Sequence, residues 1–415
     1  MDRLTRGHDS PALFDVAQDL TGGLPLQLIE QWLGSEQTPA DALRLLQGFE
    51  VRGYTVASDA SGLTRLTRQR GLMEMLALIN QPKEVVYGLG RAVGGEGVGI
   101  WAADNTQMFY PPGVRPETLL SLLLSVQDEV KRHCQVQIGL GAHFGAFYRL
   151  SGGLSGAEAD ALEELAENHT GSGEIVVTRA LCERLGPGHG FTFGPKAVPD
   201  TPLGEPVCLL DGPRLGDVRR SSERYPIPYS QDFYEDLLAY QRRLEDLELG
   251  QRLAEKYLRH KVVVLIEREA KEAETPEVAL FGNLALSARM KATGLRHLER
   301  QGGQEVKVAG PLAIYVFDAA PAALEFAQTF RRELGREGVA CRIGLDEGPV
   351  LVVDLPSGGR DIAGSAVNIA SKMAQDRGRP GGLYLSEAVA AHVDTRGFKP
   401  LRYTVSGVEI TAYEG

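Results

Sequence analysis

The feature that most limits how this chain folds is a repeat within it. QIGLGAHFGAFY at 137–148 is similar to RIGLDEGPVLVV at 342–353, and GEIVVTRALCERL at 173–185 to GGLYLSEAVAAHV at 381–393. Between these blocks, Gly156 and the helical run after it match Gly364 and SAVNIASKM. The separation is 205 residues from Ile138 to Ile343, and 208 for both Gly156 to Gly364 and Thr178 to Ser386. A spacing that steady along successive motifs specifies two copies of one domain, each about 155 residues long.

Periodicity then outlines each copy. YTVASD (54–59) and KVVVLIE (261–267) are short β-branched runs with polar flanks and predict core strands. GLMEMLALIN (71–80), PETLLSLLLSVQDEVKRH (116–133), EVALFGNLALSARM (277–290) and PAALEFAQTFRREL (321–334) carry apolar residues at helical spacing. Each copy reads β-α-β-β-α-β with a further helix and strand, an α+β fold of one sheet with packed helices. Two segments lie outside the repeat. Residues 1–50 predict two short helices, with Thr38-Pro39 opening the second. Residues 213–258 begin with a Pro-, Ser- and Arg-rich linker and continue, from 230, as one long charged helix. The expected division is therefore 1–50, 51–212, 213–258 and 259–415.

With 43% hydrophobic and 24% charged residues among 415, each copy has enough apolar side chains for an ordinary core. A formal charge of −11 gives no general attraction for nucleic acid or an anionic membrane surface. No apolar run approaches the ~18 residues that span a bilayer. MDRLTRGHDSPALF has Asp and Pro where a signal peptide needs its apolar centre, so a soluble cytoplasmic protein is expected. Cys134, Cys182, Cys208 and Cys341 are scattered without a CxxC, which favours reduced thiols over a zinc site or disulfide framework.

The order RIGLDEGPV, GRDIAGSAVNIASKM, GGLYLSEAV resembles that of class III nucleotide cyclase catalytic domains, and YTVASDASGLTRLTRQRGLMEMLALIN resembles the family's opening strand, metal Asp, phosphate loop and first helix. The resemblance covers most of 51–212 and 259–415. It implies two ferredoxin-like cyclase homology domains paired head to tail as a pseudo-heterodimer. Sites in this family form between the paired domains. One domain supplies two metal-binding Asp residues; the other supplies a Lys and an Asp for the purine, then an Asn and an Arg for the transition state.

The copies divide these positions between them. The first has Asp59 and Asp104 at the metal positions, with Ser61, Gly62, Leu63 and Thr64 as the phosphate loop. It has Ile100 and Gly153 at the purine positions, and Asp160 and Glu164 in place of the Asn and Arg. The second has Arg268 and Pro311 at the metal positions, but Lys307, Asp361 and Asn368 all match, with Lys372 at the Arg position and Ser406 at a further triphosphate-binding Lys. One complete site and one ruined site are implied.

The implied reaction is attack of the ribose 3′-hydroxyl of ATP on its α-phosphorus, giving cyclic AMP and pyrophosphate, a phosphorus–oxygen lyase chemistry. Two ions, Mg²⁺ or Mn²⁺, would be held by Asp59 and Asp104, because such ions prefer hard oxygen ligands. Backbone N–H groups of 61–64 would cradle phosphates at a helix start. Adenine presents an acceptor at N1 and a donor at its amino group; Lys307 only donates and Asp361 only accepts, which matches ATP rather than GTP. Asn368 would orient the ribose and Lys372 would set positive charge on the phosphoryl oxygens. A cyclase-like protein that binds nucleotide without turnover, or serves as an interaction scaffold through 1–50 or 230–258, is the alternative.

Overall fold

In a computed structural model of the chain, the structure describes residues 20–21, 24–60, 62–99, 101, 106–150, 153–199, 201–227, 229–269, 273–354, 360–405 and 408–415. Two short strands, β1 (Leu20–Thr21) and β2 (Leu24–Pro25), precede helices α1 (Leu26–Leu33) and α2 (Pro39–Leu46). Pro39 opens α2 as its fixed φ favours. The helix ends at Leu46, and after one 3₁₀ turn the chain enters β3 (Glu50–Ala60).

The first copy continues with α3 (Leu63–Arg70), α4 (Leu72–Ala92), β4 (Glu96–Gly97), β5 (Thr106–Tyr110), α5 (Pro116–His133), β6 (Ile138–Leu150), β7 (Gly153–Ser155), α6 (Ala157–Asn168), β8 (Ile175–Val177), α7 (Arg179–Cys182), β9 (Thr192–Pro195) and β10 (Val207–Asp211). After α8 (Gln231–Gln241) and α9 (Leu247–Tyr257), the second copy follows the same order. It runs through β11 (Arg259–Arg268), α10 (Pro276–Gln301), β12 (Gln304–Ala309), β13 (Leu312–Phe317), α11 (Ala320–Arg336), β14 (Cys341–Asp354), β15 (Arg360–Ala363), α12 (Ser365–Ser371), β16 (Leu383–Ser386), α13 (Glu387–Ala390), β17 (Lys399–Val405) and β18 (Val408–Glu414).

The strand orders are the same. The first sheet runs β4-β5-β3-β6-β8-β10-β9 with β7 on β6; the second runs β12-β13-β11-β14-β16-β18-β17 with β15 on β14. In each, the described pairings are antiparallel except one, β6 with β8 and β14 with β16. The repeat read from sequence is thus a repeat of topology.

Alternation along the central strands sends side chains to two faces. In β11, Val262, Val264 and Ile266 pack with Phe326 and Phe330 of α11 and Met290 of α10. The intervening Val263 and Leu265 pack with Ala366 and Ala370 of α12. In β3, Ala57 packs with Leu162, Leu165 and Ala166 of α6, while Gly90 of α4 lies against Met108 and Tyr110 of β5.

The single helix expected over 230–258 is two. Gln241 ends the first, and Asp246 starts the second by accepting from Leu249 N at 2.9 Å. Lys256 reaches back to Asp236 at 2.8 Å, and Gly250 lets the Tyr240 ring lie close, so the halves fold on each other. A capping Asp in mid-run competes with helix continuation.

The described chain forms two compact units. One is drawn from Ala40–Ser61 and Leu76–Pro228, the other from Asp19–Pro39, Gly62–Met75 and Tyr229–Gly415. Within the second unit, Trp32 of α1 stacks on Phe281 of α10, centroids 4.5 Å apart, and α3 packs against α12. Among the described residues, no helix is long and apolar enough to cross a membrane.

Candidate functional site

Two ladders fix which residues of the copies correspond. Tyr54 faces Tyr110, the last residue of β5, as Val262 faces Phe317, the last of β13. On the other side, Ser58 faces Leu140, which faces Ile175; Ile266 faces Ile343, which faces Leu383. Both routes place Asp59 at the position of Glu267. Leu140, not Ile138, corresponds to Ile343.

This corrects the assignment of Arg268 to the first metal position. A slip of one residue moves a strand side chain to the other face. Glu267 follows Leu265 on the α12 face, as Asp59 follows Ala57 on the α6 face. Arg268 points to the α10 side, where it is 1% exposed. Its guanidinium donates to Asn283 Oδ1, to the carbonyls of Asn283 and Gly310, and to that of Glu269, all within 3.0–3.2 Å. Burial pulls its pKa below the usual range. Arg268 is therefore a structural tie between β11, α10 and the β12–β13 turn.

The two carboxylates have unlike neighbours. Asp59 faces Gly139, which brings no charge. Glu267 faces Arg342 and is ion-paired with it at 3.3 Å, while Gln375 donates to its other oxygen at 3.2 Å. Asp59 carries a hard carboxylate oxygen of the kind a divalent ion prefers. Asp104, Ser61, Ile100 and Ser406 lie outside the described residues. Among the described residues, no group of three or more His, Cys, Asp or Glu side chains is placed to hold a metal.

Gly62 precedes α3 with φ +77°, a left-handed conformation that glycine adopts readily. Leu63 is the first residue of α3 and Thr64 the second. Free N–H groups at such a helix start favour anions.

The two residues expected to read the purine are brought together. Lys307 on β12 and Asp361 on β15 stand 3.8 Å apart, with side chains 34% and 11% exposed. Arg360 next to Asp361 donates to the Glu305 carbonyl at 3.1 Å, tying β15 to β12. Register gives the counterparts in the first copy. Asp361 faces Val353 as Gly153 faces Leu150 at the same point of the β6–β7 ladder. Lys307 faces Ile314; the matching Gln107 receives Val98 N, so apolar Val98 rather than Ile100 occupies that place. Eight residues separate Val98 from Gln107 and six separate Lys307 from Ile314, a difference that a constant sequence offset hides.

Asn368 lies half-buried on α12, and Asp160 takes the equivalent place on α6, each four residues after a left-handed glycine, Gly364 or Gly156. Lys372 begins a single π turn, Lys372–Asp376, and its ammonium is 4.0 Å from Asp376 Oδ2. Such turns occur often at functional sites. At Glu164, the counterpart of Lys372, the carboxylate accepts from Asn168 at 2.9 Å on an exposed face.

The fold is that of the class III nucleotidyl cyclase homology domain, present twice in tandem. A class III adenylyl cyclase-like ATP-binding protein from Pseudomonas aeruginosa is similar over both copies, with TM-score 0.50 at 13% identity over 83% of this chain and 85% of that one. A guanylyl cyclase domain of the RhoGC fusion protein from the aquatic fungus Blastocladiella emersonii matches 38% of this chain and 97% of its own at 20% identity and TM-score 0.32. The adenylyl cyclase CyaB from P. aeruginosa matches 38% and 94% at 16% identity and TM-score 0.31. No family model and no curated protein matches the sequence.

Proposed function

We propose that the chain binds ATP and converts it to cyclic AMP and pyrophosphate at one composite site, to which the first copy contributes Asp59, Asp104 and the 61–64 loop and the second contributes Lys307, Asp361, Asn368 and Lys372. The observation that carries this reading is the Lys307–Asp361 pair, a donor beside an acceptor at one half-buried corner. The first copy has Val98 and Gly153 in those places and so offers a purine neither. Packing of α3 against α12 supports the reading too, since a segment of the first copy is held against the helix that bears Asn368.

The residues have distinct tasks. Lys307 donates to adenine N1 and Asp361 accepts from the amino group; guanine reverses both requirements. N–H groups at the start of α3 hold phosphate oxygens. Asn368 orients the ribose so that its 3′-oxygen lies in line with the α-phosphorus. Lys372 places positive charge on phosphoryl oxygens as charge develops there. Two Mg²⁺ or Mn²⁺ ions, bound by Asp59 and Asp104, would make the 3′-hydroxyl more acidic and offset phosphate charge.

A second reading, ATP binding without turnover, is favoured by one observation: Lys372, already a point charge where a guanidinium is expected, has Asp376 beside it. The neighbour named as an ATP-binding, cyclase-like protein supports it as well. In that case 1–50 or the 230–258 hairpin would contact a regulatory protein. Incubation with ATP or GTP and Mn²⁺, followed by detection of cyclic product, separates the two readings, and calorimetry with each nucleotide tests binding. Replacing Lys307 by Glu together with Asp361 by Cys should reverse the base preference. An unchanged preference would mean that these two residues do not read the base.

A further inference from the structure

Lys307 stands beside Asp361 because β12 is irregular at one point. Glu305 faces Tyr315 of β13 and Lys307 faces Ile314, so Val306 and Lys307 together answer a single step of β13. Such a bulge carries one extra residue in one strand and re-aims the side chains next to it. Tyr315 packs into the core under α10 and α11, whereas Ile314 and Val306 pack on the α12 side. Lys307, opposite Ile314, is thereby turned to the α12 side as well. In an unbroken ladder it would face Ala313 and lie on the α10 side, because a slip of one residue exchanges the faces. The described β4–β5 pairs of the first copy, Glu96 with Phe109 and Gly97 with Met108, have no such shift.

A bulge disrupts its ladder locally and persists when something holds it. The peptide joining Glu305 to Val306 lies at the shift, and its carbonyl accepts from Arg360 Nη1 at 3.1 Å. Arg360 is itself held: its Nε donates to Asp354 Oδ1 at 3.0 Å, across the β14–β15 ladder in which these two residues face each other. A guanidinium presents its donors in one rigid plane, so a carboxylate on one nitrogen sets where the next one points. Arg360 is also the residue before Asp361 in β15. One side chain thus stands on the strand of Asp361 and holds the bulge that presents Lys307.

We propose that Arg360 is a positioning residue for base recognition: it pins the β12 bulge and so keeps the Lys307 ammonium beside Asp361. This rests on the reading of Lys307 and Asp361 as the pair that selects ATP. A role in folding alone would weaken every nucleotide alike. A direct contact of Arg360 with phosphate would add to the loss of Lys307 instead of replacing it.

Calorimetry of the full chain with Mg²⁺ and 3′-deoxy-ATP, which cannot cyclise, compares the parent with Lys307→Met, Arg360→Met and the double variant; 3′-deoxy-GTP is titrated in parallel. Lys307→Met should weaken 3′-deoxy-ATP about tenfold and Arg360→Met about as much, the scale of one charge-assisted hydrogen bond. The double variant should stay within about twofold of either single one, since Lys307 without the bulge is no longer in place to be lost. Binding of 3′-deoxy-GTP, whose N1 carries a proton, should change by less than about twofold. Arg360→Lys keeps the charge and gives up the fork, so it should fall between the parent and Arg360→Met. Alone and with Lys307→Met, it carries the test if Arg360→Met does not fold. A loss of about a hundredfold in the double variant would overturn the positioning role, as would parent-like affinity in Arg360→Met or an equal loss for both nucleotides. If Lys307→Met binds 3′-deoxy-ATP as the parent does, the base-reading pair fails, and this proposal with it.

Discussion

The two copies share a sheet order and differ where chemistry would occur. Facing the carboxylate at the end of the central strand, the first copy has Gly139 and the second has Arg342. At the short strand before the helix, the first has Gly153 and the second Asp361. The backbone therefore tolerates either set, and under the proposed function the side chains decide which residues each copy contributes.

The largest expected effect breaks this asymmetry directly. Asp59→Ala removes a hard oxygen ligand, worth several kcal/mol of charge stabilisation in the transition state, and should reduce cyclic AMP formation to the assay floor. Glu267→Gln changes the corresponding carboxylate, which is already paired with Arg342, and should leave the rate within about twofold. Equal losses would point to two equivalent sites. Arg268 is the wrong control, because its removal takes buried guanidinium donors from the Asn283 and Gly310 carbonyls and leaves the two to share the Ser287 hydroxyl. Arg268→Ala should lower the melting temperature, at about 1–3 kcal/mol per buried group left unpaired.

Next comes the helix pair. Asn368→Ala should cut the rate on the order of a hundredfold, the usual scale for one lost transition-state donor. Asp160→Ala, at the same place in the first copy, should not slow turnover. Steady-state kinetics of the two variants give the comparison, and a slowing by Asp160→Ala as large as that by Asn368→Ala would remove it.

A smaller effect is expected at the π turn. Lys372→Arg should raise turnover a few-fold, since a planar fork contacts two phosphoryl oxygens where an ammonium offers a point charge. Asp376→Asn should act in the same direction by removing negative charge 4.0 Å from the ammonium. If both leave single-turnover rates unchanged, Lys372 does not touch the transition state.

Much of this was legible in the sequence because it depends on local pattern. The apolar periodicities of 116–133 and 321–334 became α5 and α11 with the expected bounds nearly unchanged. Strand register was harder. In IGLGAHFG, Gly139 and Gly141 stand two residues apart, each preceded by an aliphatic residue, so the motif can be slid by two residues with little change in local pattern. What fixes it is three-dimensional: α6 lies over Gly141 and α12 over Gly344, where an added Cβ would meet Leu162 in one copy and the Ala370 main chain in the other. The same limit hid Glu267 behind Arg268. Likewise, Tyr225 is held by stacking on Trp101, a residue far away in sequence, whereas proline- and serine-rich composition alone reads as a linker.

The smallest effect concerns stability and a site present in one copy. His143 on β6 is buried, with Nδ1 2.8 Å from Thr178 Oγ1 and Nε2 3.3 Å from Glu158 Oε2; the register places Asp346 at the equivalent point of β14. Burial lowers the His143 pKa from its ordinary value of 6.5, and the nearby Glu158 carboxylate only partly opposes this. The folded protein thus resists a proton that the unfolded chain accepts. Above pH 6.5 the ring is neutral in both states and costs nothing; as pH falls from there towards the lowered folded value, the unfolded state gains protons first and stability is lost. Each tenfold change in proton affinity corresponds to about 1.4 kcal/mol, or roughly 3–6 °C for a domain of this size. Melting curves at pH 7.5 and 5.5 should therefore show a larger drop for the parent than for His143→Gln, which cannot titrate. Parallel drops would mean that the His143 ring takes up its proton as readily folded as unfolded, and that Glu158 outweighs burial after all.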